Sequence, residues 1–81
     1  MVDPTISFPL SLVKEEEIRK ILNEVWAALE EKGYNPINQI VGYILSEDPT
    51  YITTHRGARA LMCKVDRDDL LQNVLKYYMK K

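Results

Sequence analysis

The chain has 81 residues, which is enough for one domain, but a domain of this size buries only a marginal core. Its 11 basic and 12 acidic residues give a net charge of −1, so no charge excess indicates a nucleic acid or a membrane surface as partner. A single cysteine, Cys63, excludes an intrachain disulfide, and no apolar run is long enough to cross a bilayer. With no secretory signal pattern at the N-terminus, these features predict a cytoplasmic protein without membrane insertion.

Residues 1–13 differ in pattern from the rest of the chain. Pro4 and Pro9 interrupt them, and their apolar residues alternate with polar ones, a period typical of extended chain. We therefore predict a flexible N-terminal arm over residues 1–13 and a helical bundle domain over residues 14–81. Thr5 lies in this arm two residues after Asp3, and a hydroxyl in such a segment is a candidate phosphorylation site.

A first helix is predicted over residues 14–32. Its apolar residues recur with helical spacing, at Ile18, Ile21, Leu22, Val25 and Leu29, and Trp26 and Ala28 widen the stripe. Gly33 suits the left-handed position that ends a helix.

A second helix is predicted over residues 36–46, with Asn35 as its cap and Pro36 at its first position. The residues predicted to form its buried face are Ile37, Ile40, Val41, Ile44 and Leu45. Gly42 inside this helix indicates either close approach of another helix or a kink.

The remainder of the chain predicts one helical turn and two more helices. The turn spans residues 49–52 after Asp48, and Thr53 or Thr54 caps a third helix of about ten residues. Asp66 caps a last helix, whose predicted apolar face is Leu70, Leu71, Val74, Leu75 and Tyr78. The sequence thus predicts an all-α fold, a compact bundle of four to five short helices.

The apolar stripes are wider than one chain of this length can cover, so we predict a homodimer. Some polar and aromatic residues near the second helix are explained neither by capping nor by its apolar face. The candidates for a dimer or client surface are Tyr34, Asn38, Gln39, Gly42 and Tyr43.

No constellation for catalysis, metal binding or a cofactor is visible. His55 is the only histidine, and no further histidine or cysteine lies at metal-ligand spacing from it. On one helix His55 and Cys63 would be separated by about 12 Å of rise, too far for a nucleophile and its base. The sequence therefore predicts no enzyme, no metal and no cofactor.

Basic residues cluster in the second half of the chain, at His55, Arg56, Arg59, Lys64 and Arg67. Arg56 and Arg59 are three positions apart and would share a helix face. Two interpretations remain open: a solvated face, or a docking surface for an acidic or phosphorylated group. A small helix-turn-helix-like DNA-binding regulator is the alternative function, although the charge is acidic overall and Gly57 loosens the presumed recognition helix.

The sequence EEKGYNPINQIVGYILSEDPTYI over residues 30–52, followed by His55, Ala58 and Arg59, closely resembles the IreB/ReoM family of small regulatory phosphoproteins of Firmicutes. Arg67-Asp68 and the last helix continue the resemblance, and Asp3-Pro4-Thr5 with Phe8 resembles the family's arm. The residues that differ from the family's usual pattern are Thr53, Thr54, Gly57 and Cys63.

This resemblance implies a non-enzymatic, all-helical homodimer. It implies that Thr5 is phosphorylated by a membrane Ser/Thr kinase that senses peptidoglycan, and that a phosphatase reverses the modification. It further implies that the unphosphorylated protein restrains peptidoglycan synthesis by promoting Clp-dependent degradation of the UDP-N-acetylglucosamine enolpyruvyl transferase.

Overall fold

The computed structural model describes the backbone of residues 10–80 and the side chains of residues 14–80. Four α-helices follow one another: α1 (Leu10–Glu31), α2 (Pro36–Ser46), α3 (Ala58–Cys63) and α4 (Arg67–Met79). Two 3₁₀ turns, Pro49–Tyr51 and His55–Gly57, lie between α2 and α3. The prediction of an all-α fold is confirmed.

Helix α1 is the central element, because α2, α3 and α4 all pack against it. It begins at Leu10, four residues before the predicted start, so its first turn occupies the end of the segment predicted as an arm. Thr5 lies outside the described residues. The predicted stripe is confirmed, with Ile18, Ile21, Val25, Ala28 and Leu29 all buried. Trp26 is the exception and remains exposed.

The end of α1 is set by a hydrogen-bonded cap around Gly33. This residue has φ +83°, and its N–H donates to Glu30 while the N–H of Tyr34 donates to Leu29, both at 2.9 Å. These two bonds form a Schellman motif, in which only a residue tolerant of positive φ fits well. The predicted role of Gly33 is confirmed.

Helix α2 begins as predicted but faces a different way. The Asn35 side chain accepts a hydrogen bond from the Asn38 N–H at 3.1 Å, and Pro36 occupies the first turn. The predicted buried face is wrong at Ile37, Val41 and Leu45, which are 58%, 46% and 79% exposed, whereas its members Ile40 and Ile44 do pack against the core. The helix is rotated so that Pro36 and Tyr43 are buried, with Ile40 and Ile44 packed beside the core.

Helix α3 spans six residues rather than the predicted ten or so. Arg56 and Gly57 have φ +57° and +71°, and two consecutive left-handed residues cannot continue an α-helix upstream of Ala58. Neither threonine caps α3, since Gly57 holds its cap position. Thr54 precedes the second 3₁₀ turn without a side-chain capping bond, and the Thr53 hydroxyl accepts the His55 N–H at 3.1 Å.

Helix α4 is capped as predicted, since the Asp66 carboxylate accepts the Asp68 N–H at 3.1 Å. Of its predicted inward face only Leu70 is buried. The remaining members, which are exposed, are Leu71, Val74, Leu75 and Tyr78. Among the other helices α4 packs mainly on α1, so the described residues leave most of this apolar stripe uncovered.

Within the described part of the chain, no helix combines the length and the apolar character needed to cross a membrane.

Candidate functional site

The predicted basic cluster is divided by the fold into separate local arrangements. In the first, His55 and Arg56 leave the 3₁₀ turn and reach the C-terminal half of α1. His55 Nε2 lies 2.7 Å from Glu31 Oε1, and the Arg56 guanidinium donates to Glu31 at 2.8 Å and to Glu24 at 3.1 Å. The turn is thereby connected to α1 by an imidazole and a guanidinium that contact two carboxylates.

Glu24 and Glu31 already occupy the basic side chains of this arrangement. The hydrogen bond from His55 lowers the pKa of Glu31, with Arg56 adding to the effect. All four side chains are more than a third exposed, so water screens their interactions. An acidic partner could therefore reach His55 and Arg56, but only by competing with Glu24 and Glu31.

Arg59 and Arg67 are used differently, since each donates to a backbone carbonyl. Arg59 Nε donates to the Ile52 carbonyl at 2.9 Å, and Arg67 Nη1 donates to the Ile44 carbonyl at the same distance. Arg67 also pairs with Glu47 at 2.9 Å. These two arginines stabilise the segment around α2 and the first 3₁₀ turn, because they supply donors to the Ile44 and Ile52 carbonyls, which would otherwise lack one.

Arg56 and Arg59 do not share a helix face as predicted, because Arg56 precedes α3 and has a left-handed backbone. Lys64 is exposed in the turn after α3. The five basic residues thus form no continuous patch like that expected on a helical face, and their role in binding a partner or phosphate stays a prediction.

A second basic arrangement, which the sequence analysis did not identify, lies in a groove between α1 and α4. The groove encloses a cavity of about 340 Å³ lined by Glu15, Arg19, Asn73, Lys76, Tyr77 and Lys80. The Arg19 guanidinium lies 4.7 Å from the centre of the Tyr77 ring, and Lys76 Nζ lies 3.9 Å from Glu15 Oε2. Lys76 and Lys80 are four positions apart, a spacing that indicates a basic end for α4. Nothing in the sequence places Arg19 beside them.

Most residues predicted as a dimer or client surface have an intrachain explanation. The Gln39 side-chain amide donates to the Tyr51 carbonyl at 2.9 Å, and a Cβ on Gly42 would lie 2.5 Å from the Tyr51 ring. Tyr43 is only 7% exposed and offers little surface to a partner. Tyr34 and Asn38 are exposed.

The apolar surface that α2 does offer is a row of three side chains one helical turn apart, Ile37, Val41 and Leu45. A second exposed apolar row on α4 consists of Leu71, Leu75 and Tyr78. Contiguous exposed apolar surface of this kind is typical of protein–protein contact sites.

The described residues contain no group of three or more His, Cys, Asp or Glu side chains able to hold a metal ion. Burial raises the pKa of the Tyr43 hydroxyl, and the neighbouring Cys63 thiol raises it further, which keeps this phenol neutral at physiological pH.

The sequence matches the family described as IreB regulatory phosphoprotein over residues 3–80. The chain belongs to the IreB family. It is also 52% identical over 79 residues to a UPF0297 protein of Ruminiclostridium cellulolyticum, an alignment that covers 98% of this chain and 90% of that protein. The IreB family match includes Thr5 and every basic residue described above. Because the family consists of regulatory phosphoproteins, a protein kinase is implied as a partner.

Proposed function

We propose that this chain is a non-enzymatic regulator whose activity is set by phosphorylation of Thr5. A peptidoglycan-sensing Ser/Thr kinase adds the phosphate and a phosphatase removes it. In the unphosphorylated state the protein promotes Clp-dependent turnover of the UDP-N-acetylglucosamine enolpyruvyl transferase, and so restrains peptidoglycan synthesis in the cytoplasm.

The observation that carries this proposal is the IreB family match. It begins at residue 3 and therefore includes Asp3 and Thr5, not only the helical domain. A regulator needs surfaces rather than a reactive centre, and the described residues supply exposed apolar rows and accessible cations.

The proposal includes a homodimer. The apolar rows on α2 and α4 are its supporting features, because each would be covered if two copies met there. Tyr34 and Asn38 lie next to the α2 row in sequence, so they remain candidates for this contact or for a client. His55 and Arg56 are proposed to meet an acidic partner in place of Glu24 and Glu31.

The first experiment tests the phosphorylated residue. The purified chain is incubated with the cytoplasmic domain of the Ser/Thr kinase from the same organism and ATP, and the product is mapped by mass spectrometry. We expect a single phosphate on Thr5 and none on Thr5→Ala. Ser7→Ala and Ser11→Ala are the matched controls, because each removes another hydroxyl from the same region; if either abolishes phosphorylation while Thr5→Ala does not, the assignment is wrong.

The second experiment tests the consequence for the client. The half-life of the enolpyruvyl transferase is measured in cells that carry the wild-type chain, Thr5→Ala or Thr5→Glu. We expect a shortened half-life with Thr5→Ala and a lengthened one with Thr5→Glu, both relative to wild type. A half-life that is unchanged in a strain lacking this chain altogether would remove the proposed client.

Nothing in the fold favours the DNA-binding alternative. Helix α3, which would have been the recognition helix, spans less than two turns, and Arg56 beside it is paired with carboxylates. DNA affinity that falls steeply with salt concentration would restore this alternative.

A further inference from the structure

We infer that the groove between α1 and α4 binds the phosphate on Thr5 of the same chain, with Arg19, Lys76 and Lys80 as its cationic ligands. The inference rests on the proposed phosphorylation of Thr5. It replaces the basic residues around α3 as the receptor of that phosphate within one chain.

The first argument is reach. Thr5 lies five residues before Leu10, where α1 begins, and five extended residues span about 17 Å. At the helical rise of about 1.5 Å per residue, Arg19 lies about 14 Å along α1 from Leu10. A segment that folds back along α1 can therefore bring Thr5 to Arg19 without being fully stretched.

The same comparison of distances along α1 disfavours Arg56 as a ligand of the phosphate. Its guanidinium lies between Glu24 and Glu31, whose positions on α1 are about 21 Å and about 32 Å from Leu10. The segment would have to be fully extended even to approach the nearer carboxylate. The phosphate would then have to displace two carboxylates that Arg56 already binds.

The second argument is charge. Three cations and one carboxylate, Glu15, line the groove, so its local charge is positive although the chain as a whole is slightly acidic. The ion pair of Lys76 with Glu15 is long, at 3.9 Å, and the Lys76 side chain is 55% exposed. A phosphate with a charge of about −1.5 to −2 attracts Lys76 more strongly than one carboxylate does.

Arg19 lies beside Tyr77 in this groove. Its guanidinium carbon is 4.7 Å from the centre of the Tyr77 ring, a cation–π contact that uses none of its N–H donors. This contact reduces the conformational freedom that a long side chain would otherwise lose when the anion binds.

The third argument is a continuous path from Leu10 to these cations. A depression of about 300 Å³ around Lys14, Ile18 and Gln72 adjoins the cavity, since Glu15, Asn73 and Lys76 line both. It lies between the start of α1 and Arg19, where residues 6–8 would pass. Its lining includes one apolar residue, Ile18, and one carboxylate besides Glu15, that of Asp69.

Another depression within reach has the wrong charge. It lies around Lys14 and Lys64, encloses about 110 Å³, and is also lined by three carboxylates, Glu17, Asp66 and Asp69. A dianionic phosphate would be repelled there, so Lys64 is not expected to receive it.

The test uses the full chain with phosphothreonine installed at position 5 by chemical ligation, so that no kinase is needed. Amide NMR spectra of the phosphorylated and unmodified chains are compared at neutral pH, and the phosphate is titrated by ³¹P NMR. We expect amide shifts within residues 15–20 and 73–80. We also expect the second pKa of the phosphate to lie about half a unit or more below that of a free phosphopeptide of residues 1–9, because cations favour its dianionic form.

The matched variants carry the same loss of charge at different places. Lys76→Gln with Lys80→Gln should abolish the groove shifts and return the phosphate pKa to the peptide value. Lys32→Gln with Lys64→Gln should change neither. Retained dispersion of the core amide signals shows that each variant is folded.

Two results would overturn the inference. Shifts confined to residues 3–9, with a peptide-like phosphate pKa, would show that the phosphate does not dock. Groove shifts in ¹⁵N-labelled unmodified chain mixed with unlabelled phosphorylated chain would place the phosphate on a second copy. Neither result affects the kinase assay on Thr5. Conversely, a kinase that does not phosphorylate Thr5 contradicts the proposed function, but docking of the chemically installed phosphate can still be measured.

Discussion

At the residue scale, Gly42 is explained by one close contact. The sequence indicated that something approaches this position closely, and the approaching group is the Tyr51 ring from the following 3₁₀ turn rather than another helix. A Cβ at position 42 would lie 2.5 Å from Tyr51 Cε1, closer than any real contact allows. The cost of a glycine within α2 is thus offset by the packing of Tyr51 and by the bond from Gln39 to its carbonyl.

Gly42→Ala tests this explanation. The alanine favours the helix by about 1 kcal/mol, but it displaces the Tyr51 ring, and such overpacking costs about 1–3 kcal/mol. We expect the free energy of unfolding, measured by chemical denaturation, to be unchanged or to fall by up to about 2 kcal/mol.

The control is the same substitution in a Tyr51→Ala background, where nothing remains to clash. There Gly42→Ala should raise the free energy of unfolding by up to about 1 kcal/mol. A change of the same size and sign in both backgrounds would show that the ring contact does not matter.

Glu31 makes the stability of the folded chain depend on pH. Its pKa in the folded chain is lowered by the hydrogen bond from His55 and by Arg56, so its contribution to stability is fully present above the unfolded-state pKa of about 4.3. That contribution is lost as the pH falls through the lowered folded-state value.

We therefore expect Glu31→Gln to reduce the melting temperature at pH 7 and to flatten its fall between about pH 5 and pH 3. Glu30→Gln, which removes the neighbouring exposed carboxylate, should leave the acid dependence as in wild type. Identical acid profiles for Glu31→Gln and wild type would show that the contacts with His55 and Arg56 contribute nothing in solution.

At the element scale, the helix ends follow from local chemistry. Asn35 illustrates this, because its side chain satisfies the Asn38 N–H at 3.1 Å, a donor that the helix itself cannot pair. We expect Asn35→Ala to lower the free energy of unfolding by about 1 kcal/mol in thermal or chemical denaturation. Asn38→Ala removes a second asparagine from the same turn and should change stability by less than about 0.5 kcal/mol. Equal effects of the two substitutions would contradict the capping role.

The contrast between caps and faces explains how much of the fold could be predicted. Gly33, Asn35 and Asp66 act on backbone groups within a few residues, so the sequence next to them contains the whole interaction. The orientation of α2 depends instead on which of its sides meets α1 and Tyr51. These contacts come from other elements of the fold, so the sequence of α2 alone does not contain them. Periodicity alone therefore identified the helix but assigned Ile37 and Leu45 to the wrong environment.

The candidate sites divide in the same way. Thr5 was found through its neighbours in the sequence and the IreB family resemblance. The cations of the groove come from α1 and α4, more than 50 residues apart, so only the fold brings Arg19 to Lys76 and Lys80. Predicting Arg56 and Arg59 on one face failed because two left-handed residues interrupt the helix, and only Gly57 signalled such a break.

At the scale of the whole molecule, the core is small and entirely apolar among the described residues. Pro36 and ten other residues are buried, most of them from α1 or from residues that pack on it. The helices α2 and α4 each keep an apolar row exposed, and within residues 10–80 no further helix or turn covers either row. On α4 that row and the groove lie on different sides of the helix, since residues 71, 75 and 78 form one stripe and residues 73 and 76 another. A second copy could therefore cover the apolar row while the groove stays accessible.

The homodimer can be tested directly by sedimentation. We expect the wild-type chain at micromolar concentration to sediment with about twice the monomer mass of 9.4 kDa. Val41→Glu with Leu45→Glu places two charges in the α2 row, where burial against a partner would be costly, and should give the monomer mass. Leu71→Glu with Leu75→Glu tests the α4 row in the same way.

The charge-matched control, Asn23→Glu with Gln72→Glu, alters exposed polar positions and should sediment like wild type. A wild-type chain that sediments as a monomer at this concentration would exclude the dimer, because neither apolar row would then be covered by a second copy.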